Sequence, residues 1–196
     1  LVEEGVSKAI EALKTDDTDL AAAVIKEDQA IDELHMEIDD ECTRIIALEQ
    51  PVATDLRELI TATKIGADLE RIGDHARHIA RVVRTLPGDL LAIALPNIEE
   101  MARLGISMVH DSLTAFVEQD PDQARSVATR DDEIDAAHGR LYQSLVDVMR
   151  DRPEWIEHGV KLMFLNRYLE RLGDHVTNIC EWVIFAKTGE HVELNN

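Results

Sequence analysis

The sequence predicts an all-α protein of two tandem three-helix units. An internal repeat is the first observation. Leu69-Glu70-Arg71-Ile72-Gly73-Asp74-His75 returns as Leu169-Glu170-Arg171-Leu172-Gly173-Asp174-His175, with six of seven residues identical and an offset of 100 positions. The second is the helical spacing of apolar residues in nearly every segment. The third is composition: five Pro, nine Gly and few aromatics suit helices better than a sandwich of short strands. An apolar content of 45% supplies a core, which excludes a disordered chain.

Leu1, Val2, Val6, Ile10 and Leu13 mark a first helix, ended by the polar run Thr15-Asp16-Asp17-Thr18, whose residues are of N-capping type. A long second helix is expected from about Asp19 to Leu48, with the stripe Val24, Ile31, Leu34, Ile38, Cys42 and Ile45. Pro51 marks the next boundary, since proline near a first helical turn loses no hydrogen bond. The third helix should run from about Val52 to Thr85, its seam Leu69, Ile72, Ala76, Ile79 and Val83 stepping by three and four residues. Leu86-Pro87-Gly88-Asp89 is read as its stop. The short apolar run Leu90–Leu95, followed by Pro96-Asn97, reads as the link between units at 1–88 and 89–196. Ile98 to Glu118 opens the second unit. Asp120-Pro121 is an N-cap with proline at the first helical position, starting a helix that reaches about Met149. Asp151-Arg152-Pro153-Glu154 breaks the chain again. The last helix spans Trp155 to about Lys187 and ends at Gly189. The apolar pattern begins at Leu1 without a cap, so the expectation is that the first helix starts upstream.

A net charge of −20 opposes binding to nucleic-acid phosphates and to anionic lipid surfaces. No apolar run is long enough to span a bilayer. Cys42 and Cys180 occupy non-equivalent places on apolar stripes and read as core residues in a reducing compartment. No nucleophile elbow, phosphate-cradling loop or zinc signature is present, and the chain is not expected to be an enzyme.

The chemistry-bearing residues are carboxylates. At about 100° per residue, Glu70 and Asp74 fall opposite the seam of their helix, as do Glu170 and Asp174. They are expected to face solvent or a groove outside the bundle. Asp28 and Asp32 form an equivalent pair on the second helix, and matching Ile31-Asp32 to Ile134-Asp135 adds Asp131 and Asp135. Like charges four residues apart destabilise an isolated helix by about 0.2–0.5 kcal/mol per pair. A multivalent cation held by oxygen ligands would offset that. Packing of the second helix on the third in each half would then make two acidic sites. The plain alternative is a solvated acidic face neutralised by Arg77 and Arg81. In the second half those positions are Thr177 and Glu181, and the neutralising partners are missing. His35 and His138 each follow an acid by three residues and are read as flank histidines. His75 and His175 lie between the acid face and the seam, as packing or hydrogen-bonding groups. Gly73 and Gly173 are expected to permit close helix approach, and Trp155, Trp182 and Phe185 to belong to the core or an interface.

The two Leu-Glu-Arg-x-Gly-Asp-His segments, the four acid pairs and the Gln50-Pro51-Val52-Ala53-x-Asp55-Leu56-Arg57 junction resemble the PhoU family over essentially the whole chain. A departure is His78, where the second half has Asn178. The resemblance implies two three-helix bundles with pseudo-twofold symmetry. It implies metal clusters, of iron or zinc, on Asp28, Asp32, Glu70 and Asp74 and on Asp131, Asp135, Glu170 and Asp174. It further implies a cytoplasmic regulator of phosphate homeostasis that restrains the Pst phosphate transporter and represses the phosphate-starvation response. Its partners would be the transporter ATPase subunit and a sensor histidine kinase. A homodimer is expected because dimers are the commonest closed assembly. The rival reading is a metal-storage or metal-dependent redox protein on a helical bundle.

Overall fold

The computed structural model describes residues 1–195, and they form seven α-helices and one short 3-10 turn. Helix α1 (Val2–Thr15), α2 (Thr18–Glu49) and α3 (Ala53–Ala80) make one three-helix bundle. Helix α4 (Gly88–Glu118), the broken pair α5 (Pro121–Ala128) and α6 (Asp131–Asp151), and α7 (Ile156–Thr188) make the second. Among the described residues there is no strand, and no helix is long and apolar enough to cross a membrane.

Local chemistry explains the boundaries. The Asp17 carboxylate accepts from the Asp19 and Leu20 amides at 3.0 and 2.9 Å, and starts α2. Asp120 does the same for α5, with Pro121 at the first helical position. Gly189, at φ 78°, closes α7 in a left-handed conformation that suits glycine.

Three expectations are corrected. Helix α3 ends at Ala80 rather than near Thr85, because the amides of Val82 and Val83 tighten to carbonyls three residues back and Arg84 turns to φ 62°. The run read as a link, Leu90–Asn97, is helical and belongs to α4. Leu90, Ala94, Ile98 and Met101 form a fully buried stripe. An internal proline costs about 3 kcal/mol, whereas burying Leu, Ile and Met side chains contributes roughly 1.5–3 kcal/mol each, so the stripe outweighs the break and Pro96 sits on the exposed side. The helix expected from Asp120 to Met149 is interrupted at Thr129-Arg130, where Arg130 is drawn to Asp111 at 2.6 Å and to Ser107 of α4.

The two bundles meet across α3 and α7, the most extensive helix pair, with α1 packed on α4 beside it. Helices α3 and α7 run antiparallel: Arg57 Nε donates to Ala186 O at 3.3 Å and Thr61 Oγ1 to Trp182 O at 3.4 Å. Because α3 and α7 carry the repeated heptapeptide, this contact lies on the pseudo-twofold axis. The outer helices α2 and α6 flank the central pair. On α2 the expected stripe is only partly buried: Val24 and Cys42 are covered, but Leu34 and Ile38 are 45% and 37% exposed. Their counterparts Ala137 and Leu141 are fully buried where Asn97 and Glu100 of α4 meet Arg140 of α6. Both cysteines are buried and unpaired, and burial pushes the Cys180 thiol up to about 12.

Candidate functional site

Each half brings its four predicted carboxylates to the seam between its outer helix and its central one. Glycine makes the approach close. A Cβ on Gly73 would lie 2.9 Å from Ile31 Cδ1 and 3.4 Å from Asp28 Oδ1, and one on Gly173 would overlap Asp131 Oδ1. The glycine of each motif thus lets the outer helix set a carboxylate against the central one, as expected.

Glu70, Asp74, Glu170 and Asp174 lie in a groove, as expected, but the outer-helix acids are placed unequally. Asp28 is a buried residue, 4% exposed, and Glu70, Asp74, Asp131, Glu170 and Asp174 are half-buried in the inter-helix grooves. Asp135 is exposed. The wheel set Glu70, Asp74, Glu170 and Asp174 opposite the seam of their own helix and did not register the neighbouring helix that closes over them.

In the first half Arg77 resolves the charge. Its guanidinium pairs with Asp28 of α2 and with Asp74 on its own helix. Arg71, more exposed, reaches Glu70 and Asp74 at 3.4 Å each. Burial raises the Asp28 pKa, partly offset by the Arg77 charge, and burial with the Asp74 charge raises that of Glu70. Arg81, which shares the wheel face, forms no ion pair among the described residues.

The second half has no such cation. Thr177 stands where Arg77 does and is buried. Burial first, then the charges of Asp135, Asp174 and Glu170, push the Asp131 carboxyl up to about 7. Glu170 is raised by burial and Asp174, although Arg167 pairs with one of its oxygens. Asp131 Oδ1 and Glu170 Oε2 are buried without any hydrogen-bond partner. Unpartnered buried carboxylate oxygens are costly, and a cation bound by oxygen would satisfy both. This donor set fits a hard divalent or trivalent ion, with the His138 imidazole near Glu170 as a nitrogen neighbour. In the first half Arg77 already occupies the place of such a cation. Among the described residues, no three His, Cys, Asp or Glu groups converge tightly enough to enclose an ion in the side-chain positions of this structure.

The heptapeptide histidines serve the seam between halves instead. His175 Nδ1 donates to Asp68 Oδ1 at 2.9 Å, and Asn178 Nδ2 approaches the same oxygen at 3.4 Å. Asp68 corresponds to Tyr168 in the repeat. His75 and His78 stack on Tyr168, with ring centroids 5.5 and 4.9 Å apart. Each histidine pair member thus clasps the residue just before the other motif. Sequence reading did not single out Asp68 or Tyr168; their position, one residue ahead of each repeated segment, was the available signal.

A family model described as the PhoU domain matches residues 1–83 and 98–183. The phosphate-specific transport system accessory protein PhoU homolog of Clostridium acetobutylicum is 38% identical over 197 residues, covering 100% of this chain and 90% of that protein. The homolog of the same name from Streptococcus pneumoniae serotype 4 is 36% identical over 195 residues, with the same coverage. The crystal structure of the phosphate transport system regulatory protein PhoU from Streptococcus pneumoniae superposes with a TM-score of 0.91 at 36% identity, covering 98% of this chain and 91% of that one. That of PhoU from Pseudomonas aeruginosa gives 0.88 at 35% identity, with 96% and 91% covered. Matched along both halves by domain, sequence and fold, the chain belongs to the PhoU family.

Proposed function

We propose that this protein is a regulator associated with phosphate transport. It restrains uptake by the phosphate transporter and represses the phosphate-starvation response when phosphate is plentiful. Proteins of the family are regulatory accessory proteins, not enzymes. The observation that carries the reading is the end-to-end match to accessory proteins of the phosphate-specific transport system. On this reading the protein works at the cytoplasmic face of the membrane as a homodimeric adaptor. It connects the transporter ATPase subunit to a sensor histidine kinase, binding them differently in two states.

The acidic sites would tune those contacts through a bound metal, iron or zinc. Asp131, Asp135, Glu170 and Asp174 would hold it in the second half. Asp28, Asp32, Glu70 and Asp74 would do so in the first once Arg77 is displaced. A bound ion would supply positive charge to the seam between outer and central helices. A redox or storage function is less well supported, since the relatives that match end to end are named as accessory and regulatory proteins of phosphate transport.

Alkaline phosphatase activity in phosphate-rich medium tests the regulator reading. Deletion of the gene in its native host should raise the activity, and the intact gene should restore repression. Unchanged activity on deletion would overturn the reading. If Asp131→Ala with Glu170→Ala removes metal from the purified protein yet leaves repression intact, the metal does not serve regulation.

A further inference from the structure

The outward face of α7 changes character along its length. Ile156, Val160, Phe164, Arg167 and Arg171 follow one another at steps of four, four, three and four, so they share one face, opposite the buried Leu162, Leu165, Leu169 and Leu172. All five are exposed, Ile156 by 50%, Val160 by 41% and Phe164 by 59%. Three large apolar side chains in line, followed by two arginines, are unusual on a chain of net charge −20. Arg171 makes no hydrogen bond or ion pair among the described residues, and Arg167 has only Glu170.

The pseudo-twofold axis shows what such a face takes. Leu56 and Ile60 of α3 stand where Ile156 and Val160 stand on α7, and they are half-buried. Further along that face, at Lys64 and Ala67, which correspond to Phe164 and Arg167, the chain after α7 folds back toward α3. His191 stacks on Phe185 at 4.4 Å, and Leu194 N donates to Glu181 Oε1 at 2.7 Å. His191 and Val192 line a cavity of about 390 Å³ with Lys64 and Ala67 of α3. The covering segment, Glu190-His191-Val192-Glu193-Leu194, packs Val192 and Leu194 against the core and leaves Glu190 and Glu193 exposed. Among the described residues nothing covers the symmetry-related stripe on α7, where Phe164 stands in place of Lys64 and Arg167 in place of Ala67.

We propose that Ile156, Val160, Phe164, Arg167 and Arg171 form a docking stripe for a segment of a partner protein that carries apolar and acidic residues, in the manner of residues 190–194 on the other half. Phe164 is the apolar anchor and Arg171 the free cation that selects acidic character. Aromatic and arginine residues dominate interface energetics in this way, and charge complementarity sets which partners are admitted. None of the stripe's residues is a candidate metal ligand, although Arg167 borders the second acidic site through its ion pair with Glu170.

Panning a random peptide library on the full-length protein tests this directly. The expected consensus carries two apolar residues and at least one Asp or Glu. A labelled peptide of that consensus should bind about tenfold more weakly to Phe164→Asp, and Arg171→Glu should weaken it and shift the panned consensus toward Lys and Arg. Both positions are exposed, and circular dichroism verifies that the variants keep their helices. A consensus without acidic residues, or binding unchanged by both variants, overturns the proposal. So does a wild-type dimer that falls to a monomer on Phe164→Asp, since the stripe would then bind a second copy of this chain.

Discussion

Asp68 of α3 accepts a hydrogen bond from His175 of α7 at 2.9 Å, across the axis that relates the two halves. The symmetry-related place of Asp68 is taken by Tyr168, which receives His75 and His78 by stacking rather than by hydrogen bonding. One seam therefore combines a polar clasp with an aromatic one, and both sit where the bundles are joined.

Removing the polar clasp should loosen the junction. Asp68→Ala leaves the imidazole Nδ1–H and Asn178 without their shared acceptor in a half-buried place. A hydrogen bond to a charged group is worth about 1.5–3 kcal/mol, so urea unfolding should show a loss of that order. Asp68→Asn keeps an acceptor oxygen and should lose less. Equal losses for the two variants would mean the contact is packing alone.

Asp131 makes stability depend on pH with a sign opposite to that of an ordinary ion-paired acid. Its folded carboxyl titrates at about 7, against a usual value of 3.8. Between those values the folded state holds a proton that the unfolded state has released. Metal-free protein should therefore lose stability as pH rises from about 4 to about 7 and level off above. Asp131→Asn should be more stable than the parent at pH 8, and the difference should vanish near pH 4. Thermal melts of both proteins across that range, stripped with a chelator, give the comparison. A parent that is the more stable at pH 8 would show that Asp131 is not a strained carboxylate.

The two motif glycines should not tolerate a methyl group equally. At Gly73 the nearest atom is the terminal carbon of Ile31, a flexible side chain. At Gly173 a Cβ would overlap the Asp131 carboxylate, and Ile134 Cδ1 stands 3.1 Å away on the same helix. Gly173→Ala must turn the buried Asp131 carboxylate aside and shift Ile134 as well, and overpacking of this kind costs roughly 1–3 kcal/mol. Gly73→Ala should cost less, because Ile31 can rotate. Chemical denaturation ranks them; a larger loss at Gly73 would contradict the close-approach account.

Helix type and the pairing of acids were legible in the sequence because both rest on local periodicity. The heptapeptide repeat located the two central helices, and the i,i+4 carboxylates located the acidic seams between outer and central helices. What escaped was set by neighbours in space. The run Leu90–Leu95 looked like a linker because Pro96 follows it; only the burial of Leu90, Ala94 and Ile98 against the second bundle makes it helix. The burial of Asp28 escaped because a wheel shows one helix, and that burial comes from packing against α3. Arg77 was visible as a neutralising residue for Glu70 and Asp74 on its own helix, yet its pairing across to Asp28 needs the register between two helices, which no single-helix pattern contains.

Arg77 also offers a test of why the halves differ. It fills the first site with a fixed cation, while Thr177 leaves the second without one. Arg77→Thr should convert the first site to the chemistry of the second. Removing one partner of a buried pair destabilises by about 3–5 kcal/mol, so metal-free Arg77→Thr should melt well below the parent at pH 7. Acid should narrow the gap, because Asp28 then takes up a proton in place of the lost guanidinium. A divalent ion should narrow it too, and calorimetric titration with zinc should find one more binding equivalent than in the parent. Loss of stability with neither acid nor zinc rescue would mean that Arg77 acts as packing, and that the first carboxylate set has no use for a cation.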